Sequence, residues 1–443
     1  MRVKNPWLAI RIVCIFAILS TIGMLVTDPV PEDEALESDA SQFPHLEAQR
    51  FDRWREFATE HNCSLRNEDY SQIYRDLEPW IQARSIKASS VVLARNLLEA
   101  NAKASDSGAQ KRKKVIVSVI TFENATFSHS HLSHVLQPLA KLLPPHAQFT
   151  FIATHSDYPS VLPANDRYAG AYASVQDVLD HNNCLRLEHS RLVQESHGFF
   201  LEPAQFTTLN ALVPVFSRAK PACYVDILFP SDYHFGNFKP TMADPVSWND
   251  KKQVLFWRGS ATGGSYKDSD LWKQYHRTRL LDWERKFAGK NPGRVFDAGV
   301  EDSPSSELCV DVGLKGDLTG YSSKSFVPFT KTMEFRYLLV VDGNSWPDRL
   351  QRYLASNSVV LYAGIFIDYF MWKLEPWVHY IPVSVDFSDL DKRLKWLEEN
   401  EEMARQISLN AQALVWPIST IEAMQCYLGL LLSEYSQLYQ VDI

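Results

Sequence analysis

The stretch EFRYLLVVDGNSWPDRLQRYLASNSVVLYAGIFIDYFMWKLEPWVHYIPVS (Glu334–Ser384) decides how this chain folds. Within it, Arg336–Val341 (RYLLVV) is a short apolar run of the length and composition of a buried strand. Asp342, Gly343 and Asn344 interrupt it with residues that favour turns. A helix-start pattern follows, with Ser345 as N-cap, Pro347 and Asp348 in the first turn, and Leu350, Tyr353 and Leu354 at helical spacing. Ser358–Tyr362 (SVVLY) is a second apolar run. Strand, glycine turn, helix and strand make a βαβ unit, and the helix start would offer unpaired N–H groups to an anion. Arg349 adds a fixed charge and a planar fork suited to phosphate oxygens, although alone it reads as a solvated helix residue.

Working outward, 443 residues suffice for two domains plus extensions. An apolar content of 45% with 22% charged residues is that of a globular protein. The net charge of −8 excludes wholesale nucleic-acid binding and leaves only local basic patches for anions. The 12 Trp suit sugar-handling surfaces, as they also suit large cores.

At the N-terminus Arg2 and Lys4 precede an apolar stretch, Pro6–Val26, interrupted only by Arg11. Its uninterrupted part falls short of the ~20 residues of a spanning helix unless Arg11 snorkels to the headgroups. The positive flank predicts the N-terminus inside and the remainder translocated. A cleaved signal peptide is the rival reading, but no small-x-small site follows Val26, so a signal anchor over 1–28 is expected. Six Cys are dispersed (Cys14, Cys63, Cys184, Cys223, Cys309, Cys426) without a C-x-x-C pair, which argues against zinc. The five beyond the anchor allow at most two intrachain disulfides, with partners unassigned. Asn62-Cys63-Ser64 and Asn124-Ala125-Thr126 are sequons usable only on the secretory route. The chain closes on QVDI rather than an ER-retention tetrapeptide, which directs the expectation to the Golgi.

Asp28–Ser41 is proline- and acid-rich and reads as a stem, followed by helical patterns to about residue 104. The basic run closing Ser105–Lys114 reads as a solvated loop. Val115–Phe122, Phe149–Ala153, Ala211–Ser217 and Tyr224–Pro230 are strand-like, with a helix expected over His131–Leu143. Thr154–Pro159 follows a strand directly and carries Asp157, and α/β folds place their chemistry at the carboxyl ends of strands. Val246–Asp250 reads as a hinge. Gln253–Trp257 is then a strand, Arg258–Gly264 (RGSATGG) a small-residue turn able to close on a ligand, and Asp270–Lys286 an amphipathic helix. A further strand over His379–Val385 and helices over Leu390–Asn400, Glu401–Val415 and Ile421–Tyr439 complete an α/β pattern.

The order and spacing of DGNSWPDRLQRYLASNSVVL, PWVHYIPV and WNDKKQVLFWRGSATGG resemble the capsule-associated and Rumi-type glycosyltransferases of glycosyltransferase family 90, fungal members among them. The resemblance covers roughly residues 110–430, most strongly in the second half. It implies a GT-B-like architecture: two Rossmann-like domains facing a cleft, with an N-terminal anchor and helical extensions. The expected organisation is a tail and anchor at 1–28, stem and small helices at 29–110, an acceptor-side domain at 111–246, a UDP-sugar domain at 247–415, and a returning helix at 416–443. Implied donor contacts are Arg258, Ser260, Thr262, Arg277 or Arg279 (HRTRL), Asp342, Ser345, Arg349 and Asp368. The last is a shorter acid where the family carries Glu. In His155-Ser156-Asp157-Tyr158-Pro159 the resemblance makes Asp157 the catalytic base. Asp157 also reads as an Asx-turn former before Pro159, and Asp226 in DILFP is the alternative base.

The implied activity is transfer of xylose or glucose from a UDP-sugar to a hydroxyl of a glycan or protein, with inversion. No cofactor or metal is expected. Asp268-Ser269-Asp270 has the D-x-D form of metal-dependent transferases but reads as a helix cap. A non-catalytic carbohydrate-binding relative is the alternative. A nicotinamide dehydrogenase is disfavoured because no G-x-G-x-x-G follows the first strand.

Overall fold

The computed structural model describes residues 55–63, 70–106, 117–128, 132–162, 195–201, 209, 211–221, 224–237, 244–264, 266, 270–290, 309–315, 321 and 324–442. The expected anchor, the stem, Asp268, Cys184 and Cys223 lie outside them. Residues 52–443 form one compact unit.

Strand β10 (Phe335–Val341) is buried along its whole length. It lies between β8 (Lys252–Ser260) and β11 (Val359–Ala363) in a five-stranded sheet ordered β13-β11-β10-β8-β9, with β9 at Cys309–Lys315 and β13 at Ile381–Pro382. Every pairing in this sheet is parallel. Parallel sheets bury both faces, and β10 shows it: Leu338 and Val340 enter one core, Tyr337, Leu339 and Val341 the other. Numbered by chain order the strands run 2-1-3-4-5, so the order reverses between β8 and β10. In such sheets the ligand crevice opens outside the carboxyl ends of the strands at that switch point.

The helix between β10 and β11 departs from the sequence expectation. It is only α4, Leu350–Leu354, and its N-cap is Arg349 without a side-chain cap. Ser345 is therefore not the cap. Pro347 disfavours helical geometry at Trp346, so the chain crosses as turns until Arg349. A five-residue helix carries no extended dipole, and the anion site foreseen at its start loses that support. The helix expected from Asp270 likewise begins later, as a 3-10 turn (Asp270–Gln274) followed by α3 (His276–Lys290).

The other sheet is ordered β3-β2-β4-β5-β7, with β2 at Val117–Glu123, β3 at Thr126–Phe127, β4 at Phe149–Thr154, β5 at Val215–Ser217 and β7 at Ile227–Leu228. It is mixed: β2 runs antiparallel to β4, while β4, β5 and β7 are parallel. The sheet expected for the 111–246 domain is therefore not all parallel. The link from β2 to β4 holds β3, a four-residue helix (Ser133–Leu136) and a 3-10 segment, too little for a full crossover helix. β6 (Ala219–Pro221) leaves this sheet to pair antiparallel with β12 (Phe366–Asp368), joining the two halves of the fold.

Helices close the unit. α1 (Ser71–Ala83) is pinned by Asp76, which meets Lys220 Nζ at 2.5 Å and accepts from the Leu228 amide at 2.8 Å. α2 (Ala88–Asp106) follows β1 (Ile86–Lys87), which pairs with β14 (Tyr439–Gln440) near the chain's end. α5 (Leu390–Glu399) and α6 (Glu401–Ile418) cover the parallel sheet. α7 (Ile421–Leu438) starts on a Thr420 cap and returns to the mixed sheet, where Tyr435 donates to Thr150 O at 3.0 Å and packs on Phe216. Among the described residues no single helix is long and apolar enough to cross a membrane.

A disulfide joins Cys63 to Cys426 across 363 residues, resolving one pairing the sequence left open. It closes nearly the whole described chain, so it restricts the unfolded ensemble strongly. Cys426→Ser is expected to lower stability by about 2–5 kcal/mol, read by denaturant unfolding. Equal midpoints with and without reductant would remove this bond from the stability of the fold.

Candidate functional site

Two turns meet at the switch point. After β8 the chain reverses through Ala261–Gly264, with Gly263 at φ 97°. A side chain there would strike the His276 ring at 2.5 Å and Gly343 O at 2.8 Å, so only glycine lets the turns approach. Arg277 on α3 fastens them. Its Nη1 donates to Ser260 O (2.5 Å) and Thr262 Oγ1 (2.6 Å), and its Nε to Asp342 O (2.8 Å). The guanidinium is buried, 5.5 Å from the Trp257 ring centroid, and burial pulls its pKa down to about 10, still charged at neutral pH. Arg279 instead donates to Gln274 O (2.7 Å) and Glu195 O (3.0 Å). Of the two arginines that the sequence left open, Arg277 is the one at the turns.

Asp342, the first residue beyond β10, is fully buried. One of its oxygens accepts from Ile365 N (2.6 Å) and Phe366 N (3.3 Å), the other from Tyr362 Oη (3.3 Å). Burial, opposed by these bonds, raises its pKa to about 6. His276 Nε2 bonds Asp342 O at 2.9 Å while its Nδ1 accepts from Gly198 N at 3.3 Å, which fixes the tautomer. The His197 ring stacks on it at 3.9 Å and 8°. His197 Nε2 lies 3.4 Å from Asp342 Oδ2 but outside hydrogen-bonding geometry. Burial, then the Arg277 charge, lowers the His197 pKa to about 3; burial also dominates the downward shift at His276. Both rings are neutral.

Arg258, Ser260 and Arg349 line a cavity of about 290 Å³ with Arg352 and the rings of Phe329 and Tyr353. Arg349 Nη1 donates to Arg258 O, tying the turn before α4 to the end of β8. Arg352 stacks over Phe329 at 3.9 Å. Three guanidinium groups and a single acid, Asp348, make this a cationic cavity suited to a polyanion. Ser345 is buried, and its Oγ has no hydrogen-bond partner.

The loop after β4 of the mixed sheet meets the turn that follows β10. Asp157 is half-buried on the loop after β4, and its Oδ2 accepts from Asn344 Nδ2 at 3.4 Å, a contact spanning 187 residues. Asn344 Oδ1 in turn accepts from Gly263 N at 3.0 Å. Asp226 holds the loop from below. Its Oδ1 accepts from Ser160 N (2.7 Å) and Ser217 Oγ (2.6 Å), its Oδ2 from Val161 N (2.8 Å). Arg218 donates to His155 O at 3.3 Å and lies over the Tyr233 ring at 4.5 Å.

Asp368 stands apart. It is buried on β12, with one oxygen on His234 Nε2 (2.8 Å) and the other on Tyr369 N (2.6 Å), where β12 meets β6. The structure therefore brings together Asp157, Arg258, Ser260, Thr262, Arg277, Asp342, Ser345 and Arg349, and leaves out Arg279 and Asp368. Sequence reasoning passed over Asn344, His197, His276 and Arg352. Asn344 carried a signal, being a polar residue beside a glycine at a strand's carboxyl end, but only as a turn former. Among the described residues no three His, Cys, Asp or Glu side chains are placed to hold a metal ion.

In this α/β protein the arginine-lined cavity lies beside the carboxyl end of β8, the end at which open parallel sheets place their ligands. The model of glycosyl transferase family 90 matches residues 202–443, more than half of the chain, and the protein belongs to that family. It is 34% identical over 113 residues to zebrafish (Danio rerio) protein O-glucosyltransferase 2, covering 25% of this chain and 23% of that one. It is 24% identical over 257 residues to rat (Rattus norvegicus) protein O-glucosyltransferase 1, covering 53% and 60%. To the Drosophila melanogaster O-glucosyltransferase rumi it is 22% identical over 254 residues, covering 52% and 56%. The chain thus spans at most about three fifths of the length of these relatives.

Because Asp226 satisfies two buried backbone N–H groups of the loop that carries Asp157, Asp226→Ala should destabilise the protein by about 2–5 kcal/mol, read by thermal or denaturant unfolding. A variant as stable as the parent would show that the loop is held by other contacts.

Proposed function

We propose that the chain transfers xylose or glucose from a UDP-sugar to a hydroxyl of a glycan or protein, with inversion and without a metal. The observation that carries this reading is the contact of Asp157 with the turn between β10 and α4, the same turn that sends Arg349 into the cationic cavity. Sugar transfer from a nucleotide diphosphate needs a base for the acceptor hydroxyl and cations for the departing diphosphate, held in line. Asp157 takes the hydroxyl proton as that oxygen attacks the anomeric carbon. The bond to the UDP oxygen breaks on the opposite face, which inverts the centre. Arg258 and Arg349 receive the departing charge, and Arg277 keeps the Ser260–Gly264 turn in place beside them.

The relatives' names favour glucose as the sugar, and the resemblance of the motifs admits xylose. In this reading the mixed and parallel sheets correspond to the two halves of a GT-B-like architecture. A lumenal catalytic domain on a Golgi type II anchor is supported by the Cys63–Cys426 disulfide, which needs an oxidising compartment, and by the basic-then-apolar N-terminus.

Incubation of the protein with a panel of UDP-sugars, with and without EDTA, tests the reading through UDP release. Release should select one sugar and persist in the chelator; strict dependence on added Mn²⁺ would overturn the metal-free mechanism. Asp157→Asn keeps the shape of the side chain but cannot take a proton, so kcat should fall by ~10²–10⁴ at unchanged UDP affinity. Arg349→Ala should weaken UDP binding by about 1.5–3 kcal/mol, measured by calorimetry. Undiminished turnover in the first variant, or undiminished UDP affinity in the second, removes that residue from the mechanism.

A further inference from the structure

We propose that Asn344 is a positioning residue: its side-chain amide orients Asp157 and ties that orientation to the turn at the end of β8. The inference rests on the reading of Asp157 as base. Gly263 N–H can only donate, so the Asn344 oxygen must face it, at 3.0 Å. The amide nitrogen is thereby left to face Asp157 Oδ2, at 3.4 Å. The backbone donor thus sets the orientation of the amide, which is otherwise ambiguous between its two ends.

The chemistry follows from the geometry. One carboxylate oxygen is occupied by a donor, and Asp157 Oδ1 has no hydrogen-bond partner among the described residues, so it is the oxygen presented to an incoming hydroxyl. The contact is longer than an ordinary N–H···O bond, as catalytic hydrogen bonds often are before substrate binds. The Ser260–Gly264 turn and the Asp157 loop share this one amide, so a shift of the turn on donor binding passes to the base. Asn344 itself has little freedom. The Gly343 amide is bonded to Ser345 O at 2.9 Å, and a side chain at Gly343 would meet Arg277 and Thr262.

Among the described residues, His155 and Tyr158 lie on the loop of Asp157 and Arg218 is bonded to that loop. They are the same in every variant below, so a difference between pH profiles reports position 344. Asn344→Asp preserves size and keeps an acceptor for Gly263 N–H but sets a second carboxylate against Asp157. The acid limb of kcat/KM against pH should move upward by about one unit or more, as for two carboxylates sharing a site. Asn344→Ala should lower kcat roughly tenfold, the loss expected for one hydrogen bond to a charged group. UDP affinity and melting temperature should stay near those of the parent in both. If Asp157→Asn retains full turnover, the reading of Asp157 as base fails and this inference with it. If Asp157→Asn is inactive while the Asn344→Asp profile overlays the parent's, Asn344 has no hold on the base. Loss of UDP binding in Asn344→Ala would likewise overturn the proposal, by assigning the residue to the donor turn alone.

Discussion

A buried guanidinium holds this fold's working end together. Arg277 spends its N–H groups on the oxygens of Ser260, Thr262 and Asp342, so the carboxyl ends of two adjacent parallel strands are fastened by one side chain. A buried charge is tolerable only when such partners surround it, and removing them would leave it uncompensated. The consequences spread outward. Beside that charge, and away from water, His197 and His276 stay neutral, which lets their rings stack at 3.9 Å where two imidazolium ions would repel. The stack and Tyr362 surround the Asp342 carboxyl, which takes the backbone N–H groups of Ile365 and Phe366 and so positions the start of β12. β12 then pairs with β6 from the other half.

Around this centre the two halves are locked by interactions of different kinds. The β6–β12 ladder is backup from backbone hydrogen bonding, reinforced by the buried His234–Asp368 pair. The α7 helix adds apolar area against the mixed sheet through Tyr435, and the Cys63–Cys426 bond fixes that helix to the start of the described chain. The ladder and the His234–Asp368 pair join the halves directly, while the other two contacts fasten α7 to the mixed sheet and to the N-terminal segment.

Local pattern made the parallel sheet legible. RYLLVV and SVVLY became β10 and β11 because buried parallel strands are apolar on both faces, a signal that needs no tertiary information. The last three helices were legible for the same reason. Ser345 failed as a cap because the rule for Pro347 at a helix start competes with the rule that Pro restrains the residue before it, and the second prevailed. The direction of β2 was illegible, since an apolar run carries no sign of its partner's orientation. The site divided likewise. Arg277 and Arg279 are two residues apart in one motif, and only the packing of α3 shows which faces the turns. Asn344 was hidden because its role needs Gly263 and Asp157, distant in sequence, to exist around it.

The same geometry bears on which acid can act as base. A carboxylate with a pKa raised toward neutrality is the usual mark of such a residue, and by that mark Asp226 and Asp342 stand out, each lifted to about 6 by burial. Their surroundings argue against that role. Both are fully buried, and both oxygens of each are already occupied by internal donors. A hydroxyl could reach them only by displacing the bonds that hold the loops in place. Asp157 has the opposite balance, half-buried at the mouth of the loop with one oxygen engaged and the other open. A base must first be within hydrogen-bond reach of the proton it takes. Access, rather than the size of a pKa shift, therefore argues for Asp157, and the two buried acids are better understood as fixings of the loops around it.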